Sequence, residues 1–210
     1  MILENRLEEA ISAAQIQGSG FGNETIRAFV ERVASAEPAP GGGSVAALAG
    51  AVGAALGQMA LRITKEKKNY AHHADRYADA LDRLAPYTST LLELIDADAE
   101  AYGRVMAAYK LPKNSPQRDG AIQDGLIRAT DIPSRTANCA AEALRVLEQL
   151  RSIIHPNVAS DLQVGMQMLR SSLRGAIANM RTNLTQVKDP NIRVRYEDMI
   201  TGWEQSLRGN

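Results

Sequence analysis

Between Leu91 and Tyr109 one charged residue falls on the apolar side of a helix. At about 100° per residue, Leu91, Ile95, Tyr102, Val105 and Tyr109 share a face, and Asp98 falls among them. Glu93, Asp96, Glu100 and Arg104 fall on the opposite side. A carboxylate on an apolar stripe is costly unless it is paired, hydrogen-bonded or lining a polar cleft, and burial raises its pKa toward the range useful for proton transfer. Two readings of Asp98 follow: a general acid–base group, or a structural carboxylate bonded to a neighbouring helix end or an arginine.

Three further groups of residues have chemical potential. Gly41, Gly42, Gly43 and Ser44 form a run whose backbone N–H groups could face an anionic ligand at a helix start, although the same residues also make an ordinary turn. No Gly-Lys-Ser/Thr follows and no strand precedes, so neither a P-loop nor a dinucleotide fingerprint is present. Lys65, Lys67 and Lys68 could bind a carboxylate or a polyglutamate, or simply solvate a helix end. Asn157 and Asp161 flank a helix start, where capping competes with ligand contact. His72 and His73 are adjacent, so on a helix they diverge and cannot chelate one metal as an i, i+4 pair would; surface positions are expected.

The elements that position these residues read as helices throughout. Leu3, Leu7, Ile11 and Ala14 suggest a short N-terminal helix before the Gly18–Gly22 interruption, with residues 1–22 as an arm. Asn23 is a candidate cap for a helix whose stripe is Ile26, Phe29, Val30 and Val33. Ser44 is a candidate cap for an Ala/Gly-rich helix reaching about Thr64. Its small residues recur at Ala46, Gly50 and Ala54, and at Ala49, Gly53 and Gly57. Each interior glycine costs about 1 kcal/mol relative to alanine, so their number predicts a central helix packed tightly on all sides. A long helix follows from Asn69 to Lys110, bent or restarted at Pro86. Another is capped at Ser115 and runs, kinked or restarted at Pro133, to Ile154. Ser160 or Asp161 caps a helix with the stripe Leu162, Met166, Leu169, Leu173, Ile177, Met180 and Leu184. Asp189 and Pro190 open the last one. No alternating strand pattern competes, which predicts an all-α multi-helix bundle forming one domain over residues 1–210.

Composition narrows the function classes. Lys+Arg and Asp+Glu are both 24, giving zero formal charge, so the basic excess of a nucleic-acid binder is absent. The single cysteine, Cys139, cannot form an internal disulfide or a multi-cysteine metal site, and Met1–Asn5 lacks a secretory pattern, so a cytoplasmic location is expected. Pro38–Leu61 contains no charge and is long enough to span a bilayer, but its Ala/Gly richness gives a weak insertion driving force and argues for a buried helix and no membrane partner.

The run from Pro38 through Gly41-Gly-Gly-Ser44 to Leu56 resembles the signature of the formiminotetrahydrofolate cyclodeaminase and methenyltetrahydrofolate cyclohydrolase family. Three segments resemble it in the same order: Lys67-Lys-Asn-Tyr70, Asp96-Ala-Asp-Ala-Glu-Ala-Tyr102 leading to Leu111-Pro-Lys113, and Asn157 with Ser160-Asp-Leu162. Together they span about Phe29 to Leu184. The pattern departs at Glu66, where a glycine commonly precedes the lysine pair, and in the added segment before Asn23.

The resemblance implies an all-helical homodimer acting on a tetrahydrofolate derivative that carries a one-carbon unit at N5, with no cofactor beyond that substrate and no metal or nucleotide. It carries the proposed catalytic aspartate onto Asp98, the residue that helical phase also singles out. The expected site is therefore Asp98 for proton transfer, with Gly41, Gly42, Gly43, Ser44, Lys65, Lys68, Asn157 and Asp161 for substrate. The rival expectation is a non-catalytic dimerisation module that uses the small-residue helix for backbone packing alone.

Overall fold

The structure, a computed structural model, describes residues 20–208 and contains no strand among them. The proposed helix through Leu3 and Ile11 lies outside the described residues.

Helix α1 spans Ile26–Val33 and is capped by Thr25, whose Oγ1 accepts from the Ala28 N–H at 3.2 Å. Asn23, the expected cap, instead ends a 3-10 turn at Phe21–Asn23. Helix α2 is Gly42–Lys65 and begins two residues before the expected cap: Gly41 is the N-cap and Ser44 lies inside the first turn. Helix α3, Ala74–Lys110, follows a 3-10 turn at Lys68–His73 and passes Pro86 without restarting. Helix α4, Arg118–Glu148, starts after Gln117, not at Ser115, and stops short of Ile154. The 3-10 turns Arg151–Ile153 and Pro156–Val158 lead into α5, Ala159–Leu184, which places Ser160 and Asp161 in its first turn, not at its cap. Helix α6, Pro190–Arg208, is opened by Asp189 as expected, with Oδ1 accepting from the Asn191 N–H at 2.8 Å.

Helices α2, α3, α4 and α5 form a closed ring, each packed on its chain neighbours and α5 closing against α2. Short connections make sequential neighbours antiparallel, the up-down arrangement of a four-helix bundle. Tyr77, Leu84, Leu61, Leu147, Leu169, Leu173 and Met180 fill its interior, α6 lies against α4 and α5, and Phe29 of α1 packs with Ala47, Leu94 and Ile95. As expected, α2 is long and apolar enough to cross a membrane by length and composition, yet 61% of its most apolar window is buried inside the protein. The α1 stripe is only half used, because Ile26, Val30 and Val33 remain exposed beside buried Phe29.

Pro133 is buried within α4, where it removes the hydrogen bond that the Ala129 carbonyl would otherwise accept. Asn183 of α5 takes that place, its Nδ2 donating to the Ala129 carbonyl at 2.6 Å. The helix therefore continues because a neighbouring helix satisfies the orphaned group. Asn183→Leu leaves a part-buried carbonyl without its donor and is expected to cost about 1–3 kcal/mol, read as a lowered urea midpoint at unchanged slope.

Candidate active site

Asp98 reaches from the middle of α3 to the first turn of α2. The Ser44 N–H donates to Asp98 Oδ2 at 2.9 Å, and Ser44 Oγ donates to the Ile95 carbonyl at 2.8 Å and lies 3.2 Å from the same Oδ2. With one hydroxyl proton, Ser44 serves one of these acceptors at a time. Asp98 thus supplies across helices the acceptor that an N-cap side chain would supply locally, since Gly41 has none. The structural reading of a carboxylate on a neighbouring helix end is met, and it does not exhaust the group. Oδ1 accepts no hydrogen bond among the described residues and is the carboxylate atom nearest Gly43.

Burial raises the Asp98 pKa above the ordinary aspartate value, while the Ser44 side-chain and backbone hydrogen bonds pull against that rise. The carboxyl is consequently held nearer to the pH at which it can both accept and return a proton.

Close approach explains the glycines. A Cβ at Gly43 would collide with the Asp98 carboxylate, and one at Gly42 would sit 3.5 Å from Asn179 Nδ2. Asn179 is a site residue the sequence reading missed. Its amide donates to the Gly175 carbonyl at 2.9 Å, and α5 thereby packs beside Gly42 at the same end of α2 as Asp98. The signal was a pair of amides, Asn179 and Asn183, four residues apart beside the apolar stripe.

The face carrying Asp98 differs in part from the expected stripe. Leu91, Ile95 and Val105 are buried, but Tyr102 and Tyr109 are 39% and 38% exposed, and Leu94, Ala101 and Ala108 take their place inside. Asp98 lies among these buried positions and is itself half-buried. The adjacent Asp96, expected on the solvent side, is partly buried and accepts from the Phe21 N–H at 2.5 Å, fixing the turn that precedes α1.

The remaining expected ligand residues gather elsewhere. Lys65, Lys68, Asn157 and Asp161 lie by the C-terminal end of α2, where the His155 N–H donates to Thr64 Oγ1 at 3.2 Å and the rings of Tyr70 and His155 are 5.4 Å apart. At 1.5 Å per residue, roughly 35 Å of helix separates Gly42 from Lys65. Within one chain Asp98 meets Gly43 and Ser44, not the lysines. His72 is exposed and His73 half-buried, with ring centroids 4.0 Å apart.

A family model described as formiminotransferase-cyclodeaminase matches residues 25–201, a span that includes both of these clusters. The chain belongs to that family. The cyclodeaminase family relatives include the formimidoyltransferase-cyclodeaminase of Rattus norvegicus, 34% identical over 188 residues; the match covers 88% of this chain but 35% of the rat protein. A methenyltetrahydrofolate cyclohydrolase from Methylorubrum extorquens is 36% identical over 172 residues, covering 80% of this chain and 83% of that protein. The crystal structure of a formiminotetrahydrofolate cyclodeaminase from Thermotoga maritima superposes with a TM-score of 0.81 at 25% identity, covering 89% of this chain and 91% of that one.

Within this family fold, Gly43→Ala tests whether the carboxylate must rest on the α2 backbone. The added methyl displaces Asp98 from its contact, so activity is expected to fall by at least about tenfold, given that misplacements of about 1 Å cost up to 10²-fold. The helix itself gains from alanine, so far-UV circular dichroism should be retained. Wild-type activity in Gly43→Ala would show that Asp98 is not needed in this position.

Proposed function

We propose that this chain is a folate one-carbon enzyme acting on tetrahydrofolate substituted at N5 and N10, as a methenyltetrahydrofolate cyclohydrolase, a formiminotetrahydrofolate cyclodeaminase, or both. The observation that carries the reading is the Asp98 carboxylate, seated on Gly43 with Oδ2 held by the Ser44 N–H, in a chain whose relatives bear those names.

In the cyclodeaminase direction N10 attacks the carbon of the protonated formimino group held on N5, and the N10 proton passes to Asp98. The carboxyl then protonates the departing nitrogen, the carbon–nitrogen bond breaks, and ammonia leaves the 5,10-methenyl bridge closed. In the cyclohydrolase direction Asp98 takes a proton from water as its oxygen adds to the methenyl carbon. The bond from that carbon to N5 breaks, N5 receives a proton, and 10-formyltetrahydrofolate results. The cationic methenyl bridge is itself attracted by the ionised carboxylate. The backbone N–H groups of Gly42 and Gly43, at the positive end of α2, orient polar atoms of the ligand.

The test is spectroscopic. Purified protein should bleach the absorbance of 5,10-methenyltetrahydrofolate, or generate it from 5-formiminotetrahydrofolate. Neither change, with folded protein, removes the folate-enzyme reading and leaves a helical dimerisation module in its place.

A pH prediction follows from the direction of the Asp98 shift. As a base the carboxyl must be ionised, and burial raises its pKa, so the acidic limb of kcat/KM should lie above the pH at which an exposed aspartate titrates. A limb at the ordinary aspartate position would separate the rate from this group.

A further inference from the structure

Ser44 is expected from the sequence to touch substrate, yet it is 0% exposed. Its hydroxyl lies between two acceptors on α3, the Ile95 carbonyl at 2.8 Å and Asp98 Oδ2 at 3.2 Å. The two acceptors differ in kind. The Ile95 carbonyl belongs to the interior of α3 and offers a lone pair beyond the one its own helix uses. Oδ2 belongs to a group that alternates between a charged and a neutral form as protons come and go. Hydrogen bonds to an ionised acceptor are roughly twice as strong as those to a neutral one. The direction in which the hydroxyl points is therefore decided by the charge of Asp98, and turning it takes only rotation about one bond.

No other charge holds this control. Helix α2 carries none before Arg62. On α3, Asp96 is held by the Phe21 N–H and Glu100 is exposed. On the elements packed against this end, Glu24 is paired with Arg32, Asp131 and Arg135 line a cavity of α4 with Tyr196 of α6, and Arg174 of α5 is exposed. None of these moves Asp98, whose pKa burial raises and the two Ser44 hydrogen bonds lower.

We propose that Ser44 is a positioning residue for proton transfer and not a substrate ligand: its buried hydroxyl donates to Oδ2 while Asp98 is ionised, and turns to the Ile95 carbonyl once Asp98 has taken a proton on Oδ1. The Ser44 O–H bond stays intact throughout, and the one proton exchanged with a ligand is the one that Asp98 accepts and returns. The Ser44 N–H keeps Oδ2 in both states, so the carboxyl stays in place. Neither state leaves the buried hydroxyl without an acceptor, which would cost free energy. The inference rests on the folate-enzyme reading for where the proton goes, whereas the switch itself needs no ligand.

The test is an NMR titration of the full-length protein without ligand. Ile95–Asp96 is the one Ile-Asp pair of the sequence, so carbonyl-labelled isoleucine with nitrogen-labelled aspartate gives a single coupled signal for the Ile95 carbonyl. Carboxyl-labelled aspartate reports Asp98, assigned by its loss in Asp98→Asn. The Ile95 carbonyl should titrate with the Asp98 midpoint, and Ser44→Ala should raise that midpoint and remove most of the Ile95 response. An Ile95 signal that stays still through the wild-type Asp98 titration overturns the switch whether or not the variant folds. So does a folded Ser44→Ala whose Asp98 titrates at or below the wild-type midpoint. In turnover of 5,10-methenyltetrahydrofolate, Ser44→Ala should lose about threefold to tenfold more kcat/KM below the acidic limb than above it, the margin of a charged over a neutral hydrogen bond. An equal loss at every pH, with the limb unmoved, is what packing alone predicts and overturns the positioning role. Wild-type protein that converts neither folate but shows the linked Asp98 and Ile95 titrations defeats the functional reading and leaves the switch standing.

Discussion

Asp98→Asn is expected to lower kcat by about 10²- to 10⁴-fold without lowering the thermal midpoint, the range typical for loss of a general acid–base group. The two effects separate because Asn keeps an oxygen able to accept the Ser44 N–H, so the first turn of α2 stays capped, while its amide neither takes nor returns a proton. The sign of the stability change comes from linkage. The folded-state pKa of Asp98 is raised, so this group favours folding below its unfolded pKa and that contribution is lost as pH rises through the folded value. At neutral pH the buried charge opposes folding, and Asn removes it; the midpoint should hold or rise. Asp98→Ala should lose the same activity and, lacking any acceptor, also lose about 1 kcal/mol of stability. Steady-state rates with thermal melts of both variants check the pair. An Asn variant that keeps full activity would leave Asp98 as a helix cap only.

The largest stability effect is expected at the crossing of α2 and α5, where Gly53→Ala should lower Tm by up to roughly 4–8 °C. A Cβ at Gly53 would stand 2.7 Å from the Gly165 carbonyl oxygen and 3.0 Å from the Leu169 backbone nitrogen, and a Cβ at Gly165 would stand 2.8 Å from the Gly53 carbonyl oxygen. Both obstacles are backbone of a packed helix, so neither can swing aside as a side-chain tip would. The usual gain of about 1 kcal/mol for alanine over glycine in a helix is outweighed by overpacking of about 1–3 kcal/mol or more. Gly202 in α6 is the internal control. A Cβ there meets nothing within 4 Å, so Gly202→Ala should raise Tm slightly by the same propensity. Differential scanning calorimetry of both variants decides it, and equal shifts would remove the case for backbone contact at Gly53.

Much of this was legible before any coordinates. Period-3.6 stripes and the breaks at Pro38–Pro40, Leu111–Asn114, His155–Asn157 and Asp189–Pro190 located the six helices of the described residues, because both signals are local: burial needs one apolar face, and proline removes one donor. The glycine content of α2 announced close packing, and helical phase alone marked Asp98. Caps were misplaced where the acceptor came from afar. Ser44 reads as a cap by type, yet the cap is Asp98, 54 residues on, and Pro133 reads as a break until Asn183, 54 residues beyond Ala129, supplies the missing donor. Asn179 carried no strong local signal, since its place depends on how α5 crosses α2.

The sequence by itself determined the helices, their apolar faces and the one carboxylate out of phase, because these depend on neighbours within a few turns. Only the tertiary structure decided which oxygen of Asp98 the Ser44 N–H engages, that Asn179 stands at the same end of α2, and that the lysines stand at the far end. Those facts depend on rotation and offset between helices, which long-range packing fixes and a one-dimensional period does not encode.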